Sequence, residues 1–373
     1  MLIIQRLYIK DFLKVLITLG LGISGVFSII GLIDKIDDFM PYKPSFGLLM
    51  QYTALSIPRY THYLLPMAIL LSSLFIFSQA IKRREIVAIK AAAGKMKSLL
   101  MPFVVLGVIL TLSAFALGEI IVPATSKRLH SIKNKITKKE KGLAFKEGAL
   151  YMRGKDGSVV RISLYLPDKN ISKGISIFKF DKEGLRERID AETGEWESNA
   201  WKLRDVTLYD IAKGQITTIK ETTYPAIESP KIFQEDMWKV EEMTMMELMK
   251  YLRRLNEAGF KNIKLTVDIG SRLSYPLINL FMLLLGISLS LGGDFAEQRL
   301  LKLISSQKIK EGAFGSGIIA AGLGLLISLV YWFGYSLFLS LGYAGTIPPL
   351  VAPWIVPIIF AGVSVYLYNQ IPE

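Results

Sequence analysis

The feature that most constrains this chain is a set of six long apolar runs, interrupted once by a long polar segment. The runs cover residues 12–33, 61–81, 99–122, 269–292, 313–341 and 349–368. The polar segment lies between the third run and the fourth. A bilayer core of about 30 Å takes roughly 20 apolar residues per helix, and each run has about that length. The sequence therefore predicts an α-helical membrane protein with six transmembrane helices and one extramembrane domain.

The overall composition agrees with a membrane protein. Hydrophobic residues make up 51% of the 373 positions, and charged residues make up 21%. The chain contains no Cys, which excludes disulfides, thiolate metal sites and cysteine nucleophiles. Arg6, Lys10 and Lys14 precede the first apolar run as in a signal peptide, but the run is too long and lacks a small-residue cleavage pattern. We therefore expect this run to remain as the first span.

Basic residues are concentrated in the connection between the second and third runs, in a chain whose net charge is +13. This connection contains one acid, Glu85, and six bases: Lys82, Arg83, Arg84, Lys90, Lys95 and Lys97. The connection between the fifth and sixth runs, GYAGTIPP, is uncharged. Short cytoplasmic loops are typically rich in Lys and Arg. We therefore expect both termini in the cytoplasm and the large polar segment on the opposite side of the membrane.

The polar segment has the signals of an all-β domain followed by one helix. Residues 145–225 form short alternating runs rich in Ile, Val, Thr, Tyr and Phe, separated by turn sequences. This pattern predicts an antiparallel sandwich or jelly roll. Thr244 and Glu247 have the spacing of a capping box, which predicts a return helix near 244–258.

Three domains follow from these patterns. Residues 1–124 would form spans one to three, with a short cytoplasmic helix near 83–95. Residues 125–265 would form the jelly-roll domain with its return helix, and residues 266–373 would form spans four to six.

The sequence lacks the patterns of the common catalytic sites and metal sites. His62 and His130 are the two histidines, and they do not have the spacing of metal ligands. Neither a nucleophile elbow nor a phosphate-binding loop occurs, and no basic patch with interleaved aromatics indicates nucleic acid. Glu119 and Arg272 lie near span ends, so we expect no ionisable relay in mid-membrane. We therefore expect a protein that is not an enzyme, holds no metal or cofactor, and takes any ATP energy from a partner.

Three segments of the chain resemble one family of membrane transport proteins. They are SIPRYTHYLLPMAILLSSL at 56–74, RREIVAIKAAAG at 83–94 and SRLSYPLINLFMLLLGISLS at 271–290. Their order around a β-rich insert is similar to that of the lipopolysaccharide-export permeases LptF and LptG of Gram-negative bacteria, over essentially the whole chain. The stretch IIGLIDKIDDF after span one makes the chain look more like LptG than LptF.

The resemblance implies half of an ABC transporter in the inner membrane. In this family, an LptF-type and an LptG-type subunit form an outward cavity above a dimer of the ATPase LptB. LptC adds a single helix beside the cavity, and the periplasmic jelly roll feeds lipopolysaccharide toward the LptA bridge. The implied function is extraction of lipopolysaccharide from the inner membrane for transport toward the outer membrane.

The connection between spans two and three is where this family contacts its ATPase. Residues 84–94 fit a short cytoplasmic helix in which Ile86 and Ile89 face a groove while Glu85 meets a basic partner. The family's coupling helix occupies this position and carries a matching acid. The predicted coupling residues are Arg84, Glu85, Ile86, Ile89 and Gly94. The alternative is an ordinary basic cytoplasmic loop.

Basic side chains also concentrate at the outer ends of spans one to three, where they could bind the phosphates of lipid A. By resemblance, Arg59 matches a substrate-contacting position of LptG, and His130 and Lys133 lie where the family has arginines. The predicted lipopolysaccharide-binding residues are Asp34, Lys35, Arg59, Lys127, Arg128, His130 and Lys133. The alternative for each is head-group anchoring or a solvated helix face. Gly31 departs from the family, since LptG typically carries a lysine there.

Three other functions fit parts of this layout. A mechanotransmission-type ABC permease also couples ATP hydrolysis to a periplasmic domain, but it has four spans with the domain after the first. A membrane enzyme would need converging Asp, Glu or His side chains at an interface. A passive envelope scaffold fits the spans, but it gives no reason for a coupling-type loop.

Overall fold

The structure of this chain is a computed structural model that forms two compact units. It describes residues 2–92, 95–137, 143–146, 149–154, 156–166, 171–181, 184–197, 200–211, 214–227, 242–257, 262–291 and 317–371. Residues 1–132 and 263–373 form one unit, here called the membrane unit. Residues 133–262 form the other, here called the β unit.

The described residues contain six helices that are long and apolar enough to cross a membrane, so the predicted six spans are confirmed. Span one is α1 (Leu2–Ile33), and α2 (Ile36–Phe39) follows it. Span two is α3 (Phe46–Lys82), followed by the short helix α4 (Glu85–Ala91). Span three comprises α5 (Met96–Ala116), a π-helical turn (Leu117–Ile121) and α6 (Val122–Ile136). The remaining helices are α7 (Met245–Glu257), α8 (Ile263–Leu291, span four), α9 (Gly317–Tyr343, span five) and α10 (Ile355–Asn369, span six).

Spans two and three are longer than their apolar runs predict. Span two is a single helix of 37 residues that contains Pro58 and Pro66 and begins at Phe46, so the stretch before residue 61 is not a separate element. Span three continues through polar sequence to Ile136. Pro123 has no N–H to donate to the carbonyl of Glu119, four residues earlier. The π-helical turn immediately before Val122 changes the hydrogen-bond register there, which lets the helix continue.

Spans two and four form the centre of the membrane unit. In their apolar windows 67% and 78% of the residues are buried, against 22% for spans one and five and 28% for spans three and six. The two central helices approach closely at Gly286, where an added Cβ would overlap Ser73 Oγ and lie 3.1 Å from the carbonyl oxygen of Leu70. Small residues at such a contact allow tight van der Waals packing between helices in lipid.

The β unit contains one antiparallel sheet of seven described strands. They are β1 (Leu143–Lys146), β2 (Ala149–Arg153), β3 (Val159–Leu166), β4 (Ile171–Asp181), β5 (Gly184–Glu197), β6 (Ala200–Asp210) and β7 (Gln215–Tyr224). Each strand pairs with the next along the chain. The predicted all-β insert between spans three and four is therefore confirmed. The described strands form a meander and do not show the two Greek keys that define a jelly roll.

One face of the sheet carries the core of the β unit. Cross-strand pairs such as Ile162 with Ile175 and Ile177 with Ile189 are buried on this face, and the side chain of Trp201 is fully buried. The predicted capping box is also confirmed, since Thr244 N donates to Glu247 Oε2 at 2.8 Å at the start of α7. Period-two alternation in the strands thus produces a sheet with one apolar face.

The close contact of spans two and four gives a stability prediction. Gly286→Ala should destabilise the protein by about 1–3 kcal/mol, because the added methyl group meets Ser73 and the backbone of span two. Gly22→Ala is the matched control, since an added Cβ at Gly22 has no neighbour within 4 Å. Thermal unfolding in detergent should show a lower midpoint for Gly286→Ala and no decrease for Gly22→Ala. Equal midpoints for the two variants would contradict this packing.

Candidate functional site

The turn after span one presents the first group of predicted substrate residues. Asp34 and Lys35 follow the end of α1 and are exposed. The Lys35 ammonium lies 3.7 Å from Asp38 Oδ2. Phe39 is buried against Tyr52 of span two, with ring centroids 5.2 Å apart. This aromatic contact holds the charged turn against the N-terminal part of span two.

Arg59 lies on span two near the same turn. The neighbouring Tyr60 lies against Gly31 near the end of span one, so this part of span two adjoins that end. Asp34 and Lys35 thus lie just beyond the end of span one, and Arg59 lies next to the residue of span two that contacts Gly31.

The structure gives a steric reason for glycine at position 31, where the resemblance implies a lysine. An added Cβ at Gly31 would overlap the hydroxyl oxygen of Tyr60. The Tyr60 ring also packs against Phe27, with centroids 6.3 Å apart. Since the Tyr60 phenol fills the space beside span one, no longer side chain fits at position 31 while Tyr60 keeps this position.

The second group of predicted substrate residues lies on α6. Lys127, His130 and Lys133 follow one another at three-residue intervals, so they occupy adjacent positions on one side of this helix. Lys127 and His130 are half-buried, whereas Arg128 is exposed. Lys127, Arg128 and His130 belong to the membrane unit, and Lys133 is the first residue of the β unit.

The predicted coupling residues lie on and before the short helix α4. Ile86 is 8% exposed and belongs to the core of the membrane unit, and Ile89 packs against that core. These two aliphatic side chains therefore attach α4 to its own chain rather than facing a partner's groove. The exposed residues on and beside α4 are Arg84, Val87, Ala88, Lys90 and Ala91, with Val87 64% exposed. Gly94 lies outside the described residues.

A buried ion pair joins spans three and four at the π-helical turn. Arg272 Nη1 donates to Glu119 Oε1 at 3.2 Å, and the two side chains are only 14% and 15% exposed. Glu119 belongs to the π-helical turn, and the adjacent Gly118 leaves room for the His62 ring of span two. The π-helical turn thus brings the Glu119 carboxylate to Arg272 of span four and places Gly118 against the His62 ring of span two.

Tyrosine hydroxyls extend this polar cluster to span five. Tyr275 donates to the carbonyl oxygen of Tyr63 at 2.6 Å, and Tyr343 donates to Asp268 Oδ1 at 2.6 Å. Sequence reasoning placed Glu119 and Arg272 near span ends but did not pair them, because they are 153 positions apart. Opposite charges near the ends of consecutive spans were the available signal. Among the described residues, no three His, Asp or Glu side chains gather as a metal site.

Comparison with known families agrees with this architecture. The family model described as "Lipopolysaccharide export system permease LptF/LptG" matches residues 6–370. The match therefore includes all six spans and the β insert. No curated protein matches the chain.

The Glu119–Arg272 pair gives a testable energetic prediction. Glu119→Ala or Arg272→Ala should each cost about 3 kcal/mol, because each leaves a poorly solvated charge without its partner. The double variant should cost clearly less than the sum of the two. Asp11→Ala is the control, since its 4.0 Å pair with Lys14 is exposed and should contribute under about 1 kcal/mol. Denaturant titration in detergent measures these costs, and strictly additive single costs would rule out the coupling.

Proposed function

Because the chain belongs to the LptF/LptG family of lipopolysaccharide export permeases, we propose that it is one permease subunit of an ATP-driven lipopolysaccharide exporter. In this proposal it extracts lipopolysaccharide from the inner membrane and passes it through the β unit toward the outer membrane. The observation that carries the proposal is the family match over residues 6–370, combined with six spans and a β sheet inserted after the third. The subunit is not an enzyme, and it binds no cofactor of its own.

The orientation in this proposal places both termini in the cytoplasm and the β unit in the periplasm. Support comes from the turn after span two, where Lys82, Arg83 and Arg84 are all exposed. The residues between spans five and six carry no charge. Exposed cations at one membrane surface and uncharged sequence at the other favour this orientation.

The energy would come from a partner ATPase of the LptB type that contacts α4. The exposed side of α4 offers Val87 and two alanines beside Arg84, while Ile86 and Ile89 anchor the helix on the core. A short helix held in this way can transmit a movement of the ATPase to spans two and three, because α4 lies in the connection between these two spans. A second, LptF-type subunit would complete the transport cavity, with LptC and LptA as the next partners. The stretch after span one favours the LptG role for this chain.

Lipopolysaccharide would contact the charged turn between spans one and two. Lys35 and Arg59 can donate charge-assisted hydrogen bonds to lipid phosphates, and Tyr60 beside Gly31 presents its phenol nearby. Lys127, Arg128 and His130 would add basic side chains on α6 for the same anionic substrate, and Lys133, which belongs to the β unit, is a separate predicted contact. Asp38 would orient the lysine of the turn.

Docking of the ATPase can be separated from folding by comparing two neighbouring residues. Val87→Glu should keep the unfolding temperature of the wild type but recover at least about tenfold less ATPase on co-purification, since it charges the exposed side of α4. Ile86→Glu should instead lower the unfolding temperature, because that side chain is buried. The wild type should co-purify with an ATPase and a second six-span subunit. Isolation without an ATPase, or undiminished recovery with Val87→Glu, would count against this docking surface.

Substrate contact at Arg59 can be tested by photocrosslinking to lipopolysaccharide. Arg59→Glu should reduce crosslinking roughly tenfold, because it replaces a phosphate donor by a repelling carboxylate. Arg59→Lys keeps the charge and should lose less. Lys14→Glu is the control, since Lys14 is an exposed base near the other end of span one. If Arg59→Glu crosslinks to lipopolysaccharide as well as Lys14→Glu does, Arg59 acts only as a membrane anchor.

A further inference from the structure

The cytoplasmic end of span one makes a direct hydrogen bond to the first residue of α4. The Tyr8 hydroxyl donates to Glu85 Oε2 at 2.5 Å, across 77 positions of sequence. Tyr8 is 6% exposed, although it lies only two turns from the start of its helix. A hydroxyl directed at a carboxylate gives one of the stronger hydrogen bonds in proteins.

Both partners of this bond are held in place by other contacts. The Tyr8 ring stacks on Phe77 of span two, with centroids 6.1 Å apart and planes 17° apart. Glu85 Oε1 lies 3.9 Å from Arg83 Nη1, and the Glu85 side chain stays 41% exposed. Glu85 Oε2 is therefore bonded to span one, while the rest of the Glu85 side chain remains accessible to the cytoplasm.

The backbone before α4 restricts this helix further. Arg84 adopts φ 59° and ψ 17°, in the left-handed region that non-glycine residues rarely enter. This residue redirects the chain sharply after span two, and Glu85 begins α4 directly after it. A second bond, from Gln5 Nε2 to the carbonyl oxygen of Ser98 at 2.7 Å, ties the same end of span one to span three.

We propose that the Tyr8 hydroxyl is the positioning group that makes α4 and span one move together. The inference rests on the proposed function, in which α4 contacts the ATPase. Span one packs along span two, and the Tyr8–Glu85 hydrogen bond links the same helix to α4. A hydrogen bond from span one to Glu85 transmits a displacement of α4 to the helix whose far end carries Asp34 and Lys35. Tyr8 touches neither substrate nor nucleotide in this role and acts through Glu85.

The test uses the complete transporter reconstituted with its ATPase and second permease subunit. Tyr8→Phe removes the hydroxyl and keeps the ring that stacks on Phe77. Tyr331→Phe is the matched control, because Tyr331 is fully buried and its hydroxyl has no hydrogen-bond partner among the described residues. The readout is lipopolysaccharide released per ATP hydrolysed, which a change in overall stability does not alter.

Tyr8→Phe should assemble normally and lower this ratio roughly threefold to tenfold, the range that corresponds to loss of one typical intramolecular hydrogen bond. In a Glu85→Gln background the same substitution should have little further effect, since the charged acceptor is already gone. An unchanged ratio in Tyr8→Phe, or an equal loss with and without Glu85, would overturn the inference while leaving the exporter function intact. A wild-type complex that neither binds an ATPase nor releases lipopolysaccharide would overturn the proposed function, and the inference with it.

Discussion

The close packing of spans two and four is the contact on which the rest of the membrane unit depends. Lipid gives little hydrophobic drive between helices, so association relies on small residues that allow near approach. Gly286 and Ser73 provide that approach at the centre of the unit. Arg59 and the start of α4 belong to the chain of span two, and Arg272 belongs to span four. Arg59, one of the predicted substrate residues, is therefore carried by one of the two most buried spans.

Span one is less buried than the two central helices, spans two and four. In its apolar window 22% of the residues are buried, and the helix makes a hydrogen bond to a neighbouring helix toward each of its ends. At one end Tyr8 meets Glu85, and toward the other Ser28 Oγ donates to the carbonyl oxygen of Thr53 at 2.5 Å. A helix held in this way can shift as a rigid rod, which suits the wall of a cavity that opens and closes. This is the structural reason for proposing a link between the ATPase-facing helix and the substrate end of span one.

The sequence predicted the six spans, the β insert and the capping box of α7, because each depends on local periodicity and composition. It did not predict that span two begins at Phe46 or that span three reaches Ile136, because prolines and polar residues usually end a helix. The π-helical turn before Pro123 supplies the local exception. Strand signals gave the sheet but not its order, since alternation does not specify which strands pair.

Contacts between distant residues were the least accessible part of the site. The Glu119–Arg272 pair and the Tyr8–Glu85 bond each join positions far apart in sequence. None of these four residues is of a type that is unusual near the end of a membrane span. The inward orientation of Ile86 and Ile89 was also missed, because a seven-residue helix is too short for periodicity to fix its buried side. The predicted coupling and substrate residues stay predictions.

The most direct measurement is ATP-driven release of lipopolysaccharide from proteoliposomes to a soluble periplasmic acceptor. The proteoliposomes would contain this chain, an LptF-type subunit and an LptB-type ATPase. Release should require all three proteins and stop when this chain is left out or when ATP is replaced by a non-hydrolysable analogue. Equal release without this chain, or ATP hydrolysis with no release under any lipid composition, would contradict its role as a lipopolysaccharide permease.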